Sequence, residues 1–144
     1  MEKVHKDSLP EFVRKVLVLL PQKGQRAAIV ALQGELGAGK TTFVQVLAKE
    51  LGVKNTVQSP TYVLMKRYDI SYRQFNTLVH IDLYRLEKSE EFAALKPEEF
   101  LNDQKNLVCI EWPERAGNLL PKPNLTIRFS SDGVKERERY IEVT

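Results

Sequence analysis

Gly34-Glu35-Leu36-Gly37-Ala38-Gly39-Lys40-Thr41 is the stretch that decides the fold. It meets G-x-x-x-x-G-K-[ST] at every specified position. Such a loop wraps phosphate with backbone N–H groups, so side chains near the anion would clash. Gly37 and Gly39 supply the tight path and the positive dihedrals. The context agrees. Ala27 to Leu32 before the loop is a continuous apolar run, as expected of a strand buried on both faces. Thr41 to Leu51 after it keeps helical spacing through Phe43, Val46, Leu47 and Leu51, with Gly52 where a C-cap belongs. The helix would point its partial positive charge at the anion. Lys40 should bridge the β- and γ-phosphates, the Thr41 hydroxyl should ligate Mg²⁺, and Thr42 can donate on the α-phosphate side.

A phosphate loop needs a carboxylate at the end of a neighbouring apolar strand. Two segments qualify: Leu78-Val79-His80-Ile81-Asp82 and Leu107-Val108-Cys109-Ile110-Glu111. The pair could divide the work, one acid on Mg²⁺ and one positioning the attacking water. The sequence leaves open which is nearer the metal. No N-K-x-D element for guanine and no ABC-type signature is present, so ATP is the nucleotide by elimination.

Around this centre, Ser8-Leu9-Pro10-Glu11 has the form of a capping box opening a helix that buries Phe12, Val13, Val16, Leu17 and Leu20. Thr61 to Tyr68 reads as a strand, and Asp69 to Asn76 as the turn joining it to the next. Ser89 to Leu101 should form two short helices split by Pro97. Leu125 to Phe129 and Tyr140 to Val143 alternate as a closing pair of half-exposed strands. Cys109 reads as core, and His80 as a structural histidine or one that orients another group. Trp112 is either a binding platform or a packed aromatic. The run Lys135 to Arg139 alternates in sign like a solvated strand edge, although Arg137 or Arg139 could reach a phosphate or a partner.

The totals set bounds. A chain of 144 residues carrying 22 Lys+Arg and 19 Asp+Glu is sized for one domain, and its net +3 is no argument for nucleic acid. One cysteine excludes a disulfide framework and a multi-cysteine zinc site. The apolar runs fall far short of the ~20 residues of a membrane span, and MEKVHKDSLPEF lacks the apolar core of a secretory leader. A soluble, cytoplasmic protein without membrane contact is expected.

Together the motifs resemble the TsaE (YjeE-like) family. The matching segments are GELGAGKTTF at Gly34 to Phe43, QSPTY at Gln58 to Tyr62, HIDLYRL at His80 to Leu86 and IEWPE at Ile110 to Glu114. Leu120-Pro121 and a terminal strand after an Arg also match. The resemblance implies an α/β, three-layer P-loop NTPase fold over residues 1–144, with a mainly parallel central sheet, flanking helices and closing antiparallel strands. It implies an Mg-dependent ATPase, weak alone, in threonylcarbamoyladenosine modification of tRNA. The partners would be the TsaB–TsaD heterodimer, with tRNA contacted indirectly. Carried over by motif, Lys40 and Thr41 bind phosphate and Mg²⁺ alongside Glu35, Leu36, Gly37, Ala38, Gly39 and Thr42. Glu111 is a metal ligand, Asp82 the catalytic or metal-linked acid, and Trp112 lies beside the ATP/ADP site. Ser59-Pro60-Thr61-Tyr62 resembles a switch segment. Adenine contacts are expected partly from the N-terminal segment, around Ser8 to Glu11. Glu35 stands where the family commonly has Asp. No arginine finger is evident, with Arg85 and Arg115 the candidates, and this fits activation by a partner. The other readings are a nucleotide-gated binding module with negligible turnover, and a small-molecule kinase. The kinase would need an acceptor pocket and an Arg-bearing lid, for which the chain leaves little room.

Overall fold

The computed structural model describes residues 1–54 and 64–144. The expected switch segment Ser59 to Tyr62 and the first residues of the strand expected from Thr61 lie outside them. Among the described residues, seven strands form one sheet: β1 (Glu2–His5), β2 (Ala28–Gln33), β3 (Met65–Tyr72), β4 (Phe75–Asp82), β5 (Asn106–Glu111), β6 (Leu125–Ser130) and β7 (Glu138–Val143), in the order β1-β7-β6-β2-β5-β4-β3. The strands β6, β2, β5 and β4 run parallel at the centre, and antiparallel pairs close both edges. Helices α1 (Leu9–Val18) and α2 (Lys40–Glu50) and the short α3 (Glu90–Ala93) and α4 (Pro97–Leu101) complete the α/β architecture.

The period of two along each buried strand sorts its side chains between two cores. Val30 and Leu32 of β2, Leu78 of β4 and Leu107 and Cys109 of β5 pack with α1 and α2. Ile29, Val79, Ile81, Val108 and Ile110 pack on the opposite face with Phe92, Phe100 and Leu101 from α3 and α4. His80 and Asp82 therefore follow Leu78 onto the α2 face, and Glu111 follows Cys109. Three rings fix the phosphate-loop helix: Phe43 of α2 meets Phe12 of α1 edge-on at 6.5 Å and Phe129 of β6 at 5.6 Å between centroids. Burial raises the Cys109 thiol pKa, consistent with its place in the core.

The helix face read from the sequence is buried, Phe12 through Leu20, and Pro97 opens α4 as expected. The capping box does not form. Ser8 makes no side-chain cap bond, because a 3-10 turn over Lys6–Ser8 runs directly into α1. His5 instead accepts the Asp7 N–H at 3.1 Å. The expected turn over Asp69 to Asn76 shrinks to Arg73 and Gln74, with Tyr72 registered on Phe75. Its polar residues remain extended because β3 is an edge strand with one wet face. The N-terminal strand β1 was not anticipated from four residues of mixed polarity, and its pairing with β7 supplies the regularity.

Gly34 is where the loop leaves β2, at φ +147, and a Cβ there would lie 2.6 Å from the Phe129 carbonyl oxygen. Backbone cannot yield as a flexible side chain would. Gly34→Ala is expected to cost about 2–4 kcal/mol, read as a lowered denaturant midpoint. A midpoint equal to the wild type would show that β6 can move aside.

Candidate functional site

Because β2, β4 and β5 are parallel, their carboxyl ends share one edge of the sheet, the edge at which such folds bind ligands. The loop after β2 opens there, and Asp82 and Glu111 sit opposite one another in register. An open cavity of about 290 Å³ is lined by Leu36, Gly37, Gly39, Lys40, Thr41, Thr42, Asp82, Tyr84, Glu111, Trp112 and Arg139. Cavities near that size, at the low end of the usual range, hold small-molecule ligands. Nine of these eleven residues are ones the sequence had assigned to the site, and Arg139 is one it had allowed to reach a phosphate. Of the other sequence candidates, Ala38 is fully buried, and Glu35 turns its carboxylate away to accept from the Ser131 N–H and hydroxyl, each at 3.0 Å. Those two bonds hold the Glu35 carboxyl below its ordinary pKa and tie the loop to the end of β6.

Gly37 and Gly39 take φ +79 and +109, values L side chains rarely adopt, and Gly39 is the N-cap of α2. Lys40, the first residue of α2, is only 4% exposed. Its ammonium donates to the Gly34 carbonyl and, at 2.9 Å, to the Glu35 carbonyl, and lies 4.4 Å from the centre of the Trp112 ring. Burial pulls its pKa down, against the opposing charges of Glu111, Asp82, Glu114 and Glu35.

The Thr41 hydroxyl donates to the Glu111 carboxylate, 2.9 Å from one oxygen and 3.0 Å from the other. Behind that carboxylate, His80 Nε2 lies 2.6 Å from Oε2. His80 is fully buried and its Nδ1 has no partner among the described residues. An empty acceptor is cheaper to bury than an unmet donor, so the proton belongs on Nε2, donated to Glu111. His80 thus orients the acid, the second of the two readings its apolar setting allowed. Asp82 Oδ1 accepts the Tyr84 N–H at 3.0 Å, which fixes the strand end.

Trp112 follows Glu111 directly and takes φ 59, which swings its ring over the loop. Tyr84 packs on it at 5.2 Å, and the Arg115 guanidinium lies 5.5 Å from the Trp112 ring and 5.6 Å from Tyr84. Arg115 also donates to the Leu86 carbonyl at 3.0 Å, so this finger candidate braces the aromatic pair. Thr41, Glu111 and Asp82 offer hard oxygens of the kind Mg²⁺ prefers. No cluster of three His, Cys, Asp or Glu forms a metal cage among the described residues, so a metal held here would complete its shell with water or phosphate oxygens.

A second cavity of about 200 Å³ adjoins the first and shares Gly39, Thr42 and Arg139 with it. Val4, His5, Lys6 and Leu9 form its N-terminal wall. Of the Ser8 to Glu11 region favoured from the sequence, only Leu9 contributes. Ser8 and Glu11 face a separate groove with Phe12 and Lys15. Sequence reading also gave no role to Tyr84, and set Arg139 on a solvated edge from which it could still reach a phosphate or a partner. Its place at the head of the inward row Arg139-Ile141-Val143 was the available signal, masked by the flanking charges.

Known proteins resemble this chain in sequence and in fold. A family model described as "Threonylcarbamoyl adenosine biosynthesis protein TsaE" matches residues 6–141. A protein of Rickettsia felis called tRNA threonylcarbamoyladenosine biosynthesis protein TsaE is 42% identical over 120 residues, covering 83% of this chain and 67% of the relative. Its namesake in Haemophilus influenzae is 34% identical over 112 residues, 78% of this chain and 68% of the relative. Among solved structures, YdiB of Bacillus subtilis superposes with a TM-score of 0.63 at 27% identity, covering 92% of this chain and 77% of that one.

Proposed function

The chain belongs to the TsaE family, and from that premise we propose that it is the ATP-binding and ATP-hydrolysing component of tRNA threonylcarbamoyladenosine biosynthesis, a single cytoplasmic domain working with the TsaB–TsaD pair. The observation that carries this reading is the Thr41 hydroxyl bonded to both oxygens of Glu111 at the mouth of the phosphate loop, with Lys40 beside it. In that arrangement the loop's hydroxyl and the acid of the neighbouring strand face one small volume.

Lys40 and the N-terminus of α2 attract the β- and γ-phosphates of ATP. Gly37 and Gly39 let the backbone approach them. Mg²⁺, when bound, neutralises charge developing on the phosphate oxygens. Thr41 and Glu111 are the residues that would hold it, and His80 keeps the Glu111 carboxylate turned toward Thr41. Asp82, in register with Glu111 on the next strand, is the acid that orients the attacking water and takes up its proton. Trp112 screens this end from solvent. The second cavity, walled by Val4, His5, Lys6 and Leu9, is the seat of the base.

The described part of the cleft contains Arg139 on the side shared with the second cavity, and Arg115 is committed to Leu86 and the aromatic pair. A site short of groups around the γ-phosphate is one that a partner can complete. Hydrolysis alone should therefore be slow, and adding the TsaB–TsaD pair should raise turnover by about a hundredfold, the contribution of one well-placed donor. tRNA is reached through those partners. The test is a phosphate-release assay with and without the pair. Turnover by the chain alone in the ordinary range of about 1–10³ s⁻¹, unchanged by the pair, would refute the dependence. Transfer of phosphate to a small alcohol or nucleoside would favour a kinase, and binding without turnover under any condition a nucleotide-gated module.

A further inference from the structure

We propose that the end of the sheet opposite the cleft is a binding face for the phosphate backbone of RNA. The TsaB–TsaD pair would bring the tRNA, and this face would add a direct hold on it.

The first observation is the distribution of charge. β2, β4, β5 and β6 are parallel, so the segments that enter them share one edge, about 17 Å of strand away from the cleft. Those segments are residues 20–27, 73–74, 102–105 and 120–124. They carry five cations, Lys23, Arg26, Arg73, Lys105 and Lys122, against one acid, Asp103. This edge alone therefore has more positive excess than the whole chain, whose net charge is +3. Before Asp103, Glu98 and Glu99 belong to the first turn of α4. Asp103 spends one oxygen on the Lys105 N–H at 2.9 Å, a turn bond. Among the described residues none of the five cations pairs with a carboxylate.

The second observation is how these segments are joined. An open groove of about 710 Å³ lies on this edge, lined by Lys23 and Lys105 with Gln22, Gln25, Gln74 and Gln104. Its walls are tied by hydrogen bonds. Gln74 Nε2 donates to the Pro21 carbonyl at 2.9 Å, and Arg73 Nη1 to the Leu20 carbonyl at 3.1 Å. The Asn76 N–H donates to the Lys105 carbonyl at 2.9 Å. Arg26 Nη2 donates to the Lys122 carbonyl at 2.7 Å, which adds the fourth segment. The cations are thus held on one face, and Lys23 and Lys105 are exposed. The four segments contain no aromatic residue, so they offer bases no stacking platform. Unpaired cations beside amide side chains suit phosphate and sugar, contacted without regard to sequence. The chain belongs to a tRNA-modification family, which makes RNA the polyanion at hand.

Anisotropy of a labelled tRNA transcript, titrated with the chain alone at several salt concentrations, tests this. The wild type should bind with a Kd of about 1–100 μM near physiological salt, and log K should fall against log salt with a slope of about −3. The double variant Lys23→Gln/Lys105→Gln should lose about tenfold or more in affinity at low salt, with the slope eased by about two. Lys3→Gln/Lys15→Gln, the same charge change in the groove between β1 and α1, should bind like the wild type. Melting midpoints and calorimetric ADP affinity should be unchanged in both doubles. Absence of tRNA binding by a wild type that still binds ADP overturns the proposal and leaves the nucleotide reading standing. Equal losses in the two doubles also overturn it, since any lysine would then serve. So does a lowered melting midpoint in Lys23→Gln/Lys105→Gln, which makes the lysines structural. Phosphatidylglycerol vesicles bound more tightly than tRNA at equal phosphate would assign the face to lipid, and polyglutamate bound as tightly would assign it to acidic protein; either result overturns the proposal.

Discussion

Lys40→Ala should lose ATP and ADP binding almost entirely, with an affinity loss of more than about a hundredfold. The magnitude comes from two sources acting together. One is the lost contact: a charged donor to a doubly charged acceptor is among the stronger hydrogen bonds available. The other is what the lysine leaves behind. Glu111, Asp82, Glu114 and Glu35 all act on the Lys40 ammonium, and Asp82 and Glu111 are buried with it. Without that cation the cleft presents uncompensated carboxylates to an incoming polyanion. The variant should therefore bind worse than a merely neutral site.

The same substitution has an internal reporter. Trp112 is the sole tryptophan, and Lys40 Nζ lies 4.4 Å from its ring centre. Emission should change on mutation before any nucleotide is added, and should then cease to respond to ADP. Calorimetry gives the affinities. Lys40→Arg should not restore them, because the flat fork cannot follow a point charge into the space between the Gly34 and Glu35 carbonyls. Wild-type ATP affinity in Lys40→Ala would remove the loop from the binding site altogether.

Much of this site is legible in the sequence, for a physical reason. The phosphate loop requires glycine at positive φ, a lysine at the first turn and a hydroxyl next to it, so its chemistry is written in consecutive residues. The acids are legible because each terminates a strand whose period of two sets the facing side: Leu78-His80-Asp82 and Leu107-Cys109-Glu111. The aromatic after Glu111 was visible too, but not its φ of 59, which decides that it covers the loop. What escaped depends on contacts distant in sequence. β1 exists because β7 is there to pair with it, and the capping box fails because that strand delivers a 3-10 turn into α1. Arg139 sits in an alternating charged run that looks solvated until the register places it over Gly39. The bond from His80 to Glu111 joins residues 31 apart across two strands, and no local pattern announces it.

The division of labour between the two acids yields the sharpest remaining expectation. Glu111 is bound on one side by the Thr41 hydroxyl and on the other by His80. An acid held to the loop's own hydroxyl is placed to act on whatever that hydroxyl coordinates. Glu111→Gln should therefore remove the extra affinity that Mg²⁺ gives to ATP, a loss of about tenfold or more, and leave binding in EDTA nearly unchanged. Asp82 is fixed by the Tyr84 N–H, one strand further from the loop. Asp82→Asn keeps that acceptor oxygen but not the basicity. It should leave Mg-dependent binding close to wild type and reduce partner-stimulated turnover by about a hundredfold or more, the usual scale for a general base. The two readouts separate the roles because one is an equilibrium with and without metal and the other is a rate at saturating nucleotide. If Asp82→Asn abolishes the Mg²⁺ effect while Glu111→Gln affects only turnover, the assignments exchange. If both abolish it equally, the register that sets Asp82 beside Glu111 has made them joint holders of one ion, and the base must be sought elsewhere.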